Sequence, residues 1–212
     1  MINIKTFIFN PFLVNMLVLS DETGESIIID ASCYAQKEKD ELDNYIATHK
    51  LKPVKMLNTH GHVDHVLGIA YVAKKYNIEV EIHEADLPLF SQAKQQGLIF
   101  GFDVDNLPVV NRYLTEGNDI TFGKSSLKVI HVPGHSPGSV AFFSPEQKFV
   151  IAGDVLFKGS IGRTDLPGGN YNQLIQGIIN KLMTLPPDTM VIPGHGPSTT
   201  ISEEALSNPF LA

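Results

Sequence analysis

The chain has one cysteine, Cys33, two arginines, Arg112 and Arg163, and no apolar run long enough to cross a membrane. Each shortage excludes something. A single thiol cannot close an internal disulfide, so oxidative cross-linking plays no part. Cys33 reads as a small buried residue rather than a nucleophile. Lysine and arginine number 16 against 23 acidic residues, a formal net charge of -7. That balance leaves no basic face for a phosphate backbone and argues against nucleic acid as a partner. A membrane helix needs roughly 18 or more consecutive apolar residues. The nearest approach, "MINIKTFIFNPFLVNMLVLS", is broken by Asn10-Pro11 and Asn15 and has no small-residue cleavage site. It reads as two strands meeting at "NP" rather than a signal peptide. The expectation is a cytoplasmic protein without a membrane partner.

What is present is an ordinary globular balance over 212 residues, 43% hydrophobic and 18% charged. It is enough for a sizeable core, and one domain over 1–212 is the economical reading. Alternating apolar runs bounded by turn residues predict strands at 2–9, 13–19 and 26–30. Helical spacing predicts a helix over 34–50, with Leu42, Tyr45 and Ile46 on one face. A strand at 54–57, a helix at 66–76, a strand at 78–82 and a helix at 84–96 follow. Residues 97–111 are irregular. The second half has strands at 126–132, 139–143 and 149–151, a helix at 171–185 and a short strand at 190–192. Strands in runs with helices between and after them suggest layered α/β or α+β packing.

The chemistry concentrates at strand ends. "THGHVDH" puts His60, His62, Asp64 and His65 within six positions, directly after an apolar strand. In an extended segment residues i and i+2 point the same way, so His60 and His62 converge on one point. Asp64 and His65 open the next helix and aim at a second. Gly61 reads as the place where backbone passes close to bound metal. A lone histidine at a strand end is usually an ordinary polar residue, but four donors so close together in apolar surroundings are not. Two further stretches, "KVIHVPGHSPGS" and "TMVIPGHGPST", each deliver one histidine on a tight turn, His135 and His195. Asp154 ends the apolar strand of "VIAGDVLF", where burying a carboxylate is costly without a cation. The seven donors divide into His60, His62 and His135 against Asp64, His65 and His195, with Asp154 shared. Nitrogen and oxygen donors without cysteine, with room for water, are the pattern of catalytic rather than structural metal sites.

In this order and at these distances, "THGHVDH", "PGHSPGS", "AGDVLF" and "PGHGPS" resemble the metallo-β-lactamase superfamily, over essentially the whole chain. The resemblance implies a four-layer αββα sandwich with its active site at one edge, and the same division of ligands with Asp154 bridging. Within the superfamily, "GDVLFKGSIGRTDLPGG" is most similar to glyoxalase II-like hydrolases (hydroxyacylglutathione hydrolases). It points to a short branch of them, because only "STTISEEALSNPFLA" stands where glyoxalase II has a helical region.

That likeness implies a binuclear hydrolase with two zinc ions per chain, iron or manganese being the alternatives. A metal-bridging hydroxide would attack a small thioester such as an S-2-hydroxyacylglutathione. Asp64 would hold the second metal and orient the hydroxide. Lys158 and Arg163 would anchor an anionic substrate tail, although Arg163 pairing with Asp165 or Asp64 is an equal reading. Tyr171, Phe100 and Phe102 are candidates for the substrate wall, with plain packing favoured for the two phenylalanines. Asp30, after "SIII", either supports a ligand histidine or caps a turn. His49, His83 and His131 receive no ligand role. "GRTD" also resembles persulfide dioxygenases, which would use His60, His135 and Asp154 for a single iron. A binding module without turnover fits least, since no ligand is missing, and an exported β-lactamase is disfavoured by the missing export signal.

Overall fold

The computed structural model describes residues 1–211, and its first half builds one mixed sheet. Strands β1 (Asn3–Phe9), β2 (Val14–Ser20) and β3 (Glu25–Ile29) run antiparallel in sequence. Strands β4 (Lys52–Leu57), β5 (Val80–His83) and β6 (Arg112–Leu114) then add in parallel, giving the order β1-β2-β3-β4-β5-β6. The parallel pairings need crossovers, supplied by helices α1 (Gln36–Thr48), α2 (Val63–Val66), α3 (Ile69–Tyr76), α4 (Leu87–Ser91) and α5 (Ala93–Ile99). A second sheet has the order β14-β13-β10-β9-β8-β7. Its strands are β7 (Asp119–Phe122), β8 (Ser125–His131), β9 (Val140–Ser144), β10 (Phe149–Gly153), β13 (Met190–Pro193) and β14 (Thr199–Thr200). A small hairpin, β11 (Leu156–Phe157) with β12 (Ser160–Ile161), stands apart from both sheets.

Strand alternation sorts the core into three apolar layers. On β2, Leu17 and Leu19 face the second sheet, where they meet Phe142, Phe149 and Ile151. Met16 and Val18 face the opposite way, toward Leu42, Ile46, Ile69 and Val72 of α1 and α3. On the far side, Ala141, Phe143 and Val150 pack under Leu174 of α6 (Tyr171–Gly177), Ile178 and Leu182 of the π-helical turn that continues it, and Ile201 of α7 (Ile201–Ser207). Helix, sheet, sheet, helix is the four-layer sandwich that the motifs imply. Among the described residues no helix is long and apolar enough to cross a membrane.

Local features differ from expectation at several points. The helix expected over 66–76 is interrupted at Gly68, whose N–H donates to Ala31 O at 2.8 Å instead of up its own helix. A Cβ at Gly68 would lie 2.7 Å from Cys33 Sγ, so the glycine lets this turn rest on Cys33. Burial pushes that thiol up to about 12, the state of an inert packing residue. The short strands β6 and β7 have no counterpart among the strands expected from sequence.

Candidate metal centre

All seven donors meet at one edge of the sandwich, beyond the C-terminal ends of β4, β8, β10 and β13. His60, His62 and His135 form one group and Asp64, His65 and His195 another, the donor atoms of each lying within 4.8 Å of one another. In the first group His62 Nδ1 faces His135 Nε2 at 2.9 Å, and His135 Nε2 is 3.3 Å from His60 Nε2. In the second, His65 Nε2 is 3.2 Å from His195 Nε2, and His195 Nε2 is 3.2 Å from Asp64 Oδ2. Asp154 reaches both groups, with Oδ1 3.3 Å from His65 Nε2 and Oδ2 3.7 Å from His135 Nε2.

The outer ring nitrogens explain why the inner ones are free to bind. His135 Nδ1 donates to Arg163 O at 2.8 Å, and His195 Nδ1 to Phe12 O at 2.9 Å. His65 Nδ1 donates to Asp30 Oδ2 at 2.9 Å. His60 Nδ1 meets Thr59 Oγ1 at 2.9 Å, and that hydroxyl gives its own proton to Asp30 Oδ2 at 2.7 Å. With Nδ1 as donor, each ring in its neutral form turns an Nε2 lone pair toward the centre. His62 is reversed: its Nδ1 points inward and its buried Nε2 has no partner. Asp154 Oδ1 is likewise buried without a hydrogen bond. Five imidazole lone pairs around an unsatisfied carboxylate oxygen are a donor set suited to zinc or iron, so the residues present fit a metal. Asp30, His60 and His65 also lie close enough to form a group. Asp30 already accepts from His65 directly and, through the Thr59 hydroxyl, is linked to His60, so that cluster is support rather than a further ion site.

The electrostatics follow from burial and from the carboxylates. Burial, with His65 nearby, pushes His60 well below the usual imidazole range. Burial and then His135 push His62 down to about 4. For Asp154, burial works upward but His65, His135 and His195 outweigh it and hold the carboxyl well below its ordinary range. Asp64 is lowered in the same way, burial being outweighed by His65 and His195. His65 and His195 shift upward, because the neighbouring carboxylates overcome burial. His60 and His62 are therefore held neutral and ready to donate, and the carboxylates draw positive charge to the second group. A proton or a metal ion meets that demand.

Residues 9–195 match the model of the metallo-beta-lactamase superfamily. The chain belongs to the metallo-β-lactamase superfamily. Hydroxyacylglutathione hydrolase GloC of Haemophilus influenzae is 34% identical over 211 residues, 99% of this chain and 98% of that protein. The crystal structure of BLEG-1 B3 metallo-beta-lactamase superposes with a TM-score of 0.90 at 33% identity, covering 99% of this chain and 100% of that one. That of TTHA1623 in a di-iron-bound form gives 0.87 at 39% identity, covering 98% and 100%.

Within this metallo-β-lactamase fold the three expected substrate contacts stand at the surface. Lys158, on the turn of the β11–β12 hairpin, pairs with Glu203 at 3.0 Å. Arg163 makes two hydrogen bonds to Asp165, at 2.8 and 2.7 Å, so the side chain adopts the pairing weighed against an anchor. The residue serves the centre through its carbonyl, on His135. Tyr171 opens α6, half exposed. Phe102 is buried, whereas Phe100 is exposed and packs edge-on against Phe12 at 5.4 Å.

Gly61 has a different reason from the one its position suggests. A Cβ there would meet Asp86 O at 2.9 Å and Phe90 N at 3.1 Å, so it makes room for the 84–90 segment rather than for metal. The glycine that clears the centre is Gly194, where a Cβ would collide with Asp154 Oδ1. Sequence reading also missed Asn15, which donates to Pro193 O and Gly196 O and holds the His195 turn, and Asn58, which donates to His60 O and His65 O. The available signal was an asparagine inside or at the end of an apolar strand, a costly placement unless its amide is used.

Proposed function

We propose that this protein is a binuclear metallohydrolase that cleaves a small thioester of the S-2-hydroxyacylglutathione kind. The observation that carries the proposal is the pair of donor groups with Asp154 in contact with both. His60, His62 and His135 would hold one ion and Asp64, His65 and His195 the other, with Asp154 between them. Two ions here would supply an acidified water and polarise the scissile carbonyl. Asp64, partly exposed beside His195, would accept a hydrogen bond from that water and orient it. Asp30 keeps His65 and, through Thr59, His60 in the tautomers that present Nε2. Lys158, Arg163 and Tyr171 meet the substrate's anionic tail, the two cations exchanging exposed carboxylate partners for it. A thiolate leaves with little need of protonation, since thiols ionise near pH 8.5. The hydroxyacylglutathione hydrolase relative supports this substrate class, and the di-iron neighbour makes iron the first competitor to zinc.

The test loads the protein with zinc or iron and measures thiol release from S-lactoylglutathione. Parallel arms follow oxygen uptake with glutathione persulfide and hydrolysis of a chromogenic cephalosporin. Thiol release that depends on metal is the expected result. Oxygen consumption without thiol release would replace the hydrolase by a mononuclear iron dioxygenase, and cephalosporin turnover alone would make the substrate a β-lactam.

A further inference from the structure

Asp86 takes no part in the donor set, yet it is fully buried between the two loops that carry the first group. It sits at the end of a 3₁₀ turn, Glu84–Asp86, after β5. Its carboxylate accepts three hydrogen bonds. Gly61 N–H donates to Oδ2 at 2.8 Å, Ser136 Oγ to the same oxygen at 2.7 Å, and Gly138 N–H to Oδ1 at 2.5 Å. Gly61 lies between His60 and His62, and Ser136 directly follows His135. Each loop also has a glycine where Asp86 presses on it. A Cβ on Gly138 would stand 2.8 Å from Asp86 Cβ, Cγ and N, and one on Gly61 would meet Asp86 O. Ser139 Oγ closes the second loop, accepting from Ser136 N at 3.1 Å and bonding Ser136 Oγ at 2.7 Å.

We infer that Asp86 is a positioning residue that clamps the His60–His62 loop to the His135 loop and so sets the spacing of the first metal group. The inference rests on the reading of His60, His62 and His135 as metal ligands. As metal ligands, His62 Nδ1 and His135 Nε2 would turn two lone pairs toward each other across 2.9 Å, a repulsion that needs their loops held together by something besides the rings. Three donors converging on one carboxylate supply that hold. A carboxylate suits the place because every neighbour donates; an asparagine there would turn its NH₂ toward at least one N–H or O–H.

The experiment is a zinc or cobalt(II) titration against a competing chelator, on Asp86→Asn and on the milder Ser136→Ala. Each is made in the wild-type, His135→Ala and His195→Ala backgrounds. In the His195→Ala background, where the first group alone remains intact, both substitutions should weaken the ion by about 10–100-fold, the usual effect of losing a ligand's supporting partner. In the His135→Ala background they should leave the remaining ion within about twofold. Equal weakening in both backgrounds, or a lower melting temperature with unchanged affinities, overturns the clamp. If Asp86→Asn does not fold, Ser136→Ala decides the matter alone. A wild-type protein that binds no ion overturns the metal-centre reading itself, and is distinct from either result.

Discussion

Replacing Asp30 by glycine removes the carboxylate without adding backbone strain, because residue 30 has φ +54 and an alanine there would be disfavoured. The side chain is 2% exposed and accepts from Thr59 N at 2.7 Å, Thr59 Oγ1 at 2.7 Å and His65 Nδ1 at 2.9 Å. Glycine would leave these three buried donors without an acceptor. At about 1–3 kcal/mol each, with some recovery by water in the vacated space, the loss should be about 3–6 kcal/mol. That is a large part of the roughly 5–15 kcal/mol of a typical domain. Asp30→Asn keeps one acceptor oxygen and should cost about half as much. Urea unfolding of the chelator-treated protein measures both. With metal, freeing the His65 ring should weaken the second ion by about 10–100-fold. A loss below about 1 kcal/mol for Asp30→Gly, or equal losses for the two variants, would refute the account.

Asp154→Ala should lower the occupancy of both ions, whereas His195→Ala should empty chiefly the second group; equal and complete loss in both, by elemental analysis, contradicts the sharing. Asp43 accepts from Tyr71 at 2.7 Å, Tyr76 at 2.6 Å and Lys75 at 2.6 Å. Burial alone would raise its pKa, but Lys75 and the two phenols lower it. A carboxylate depressed in the folded state contributes stability above its unfolded pKa and loses it as pH falls through the lower folded value. Asp43→Asn should therefore cost about 1.5–3 kcal/mol at pH 6 and progressively less below pH 3.8, by urea unfolding at each pH; a cost independent of pH would be wrong for this cluster. Arg163→Ala should raise KM for S-lactoylglutathione more than it lowers kcat, as loss of uniform binding does. A fall in kcat alone would assign Arg163 to the His135 loop rather than to substrate.

The donors were legible in the sequence because each belongs to a local pattern. An apolar strand runs into His, Asp or Gly-His, and nothing else gives an apolar protein reason to place such residues there. Their division into two groups was legible as well, since His60 and His62 share a strand parity that Asp64 and His65, on a helix, do not. Layered packing was legible in the runs of strands and helices, and the four-layer sandwich in the resemblance. Strand β2 is buried on both faces, so only the structure shows Leu17 and Leu19 facing one way and Met16 and Val18 the other.

What the tertiary structure alone decided is which atom each donor presents and what holds it there. The outer nitrogens of His65, His135 and His195 bond to Asp30, to Arg163 O and to Phe12 O, partners 28 to 183 residues distant in sequence. No local pattern encodes a contact made only when segments far apart in the chain are brought together by the fold. Asp86 is the extreme case: "EADLP" opens a helix by any local rule, and its carboxylate gains meaning only where the loops of β4 and β8 arrive from separate sheets. Arg163 shows the reverse, a charged side chain that invites a substrate role while its carbonyl does the positioning. Side-chain type and spacing determine the chemistry available at a point on the chain. Hydrogen-bond partners are set by packing across the whole fold, because buried polar groups must be satisfied by whatever the far elements bring within about 3 Å.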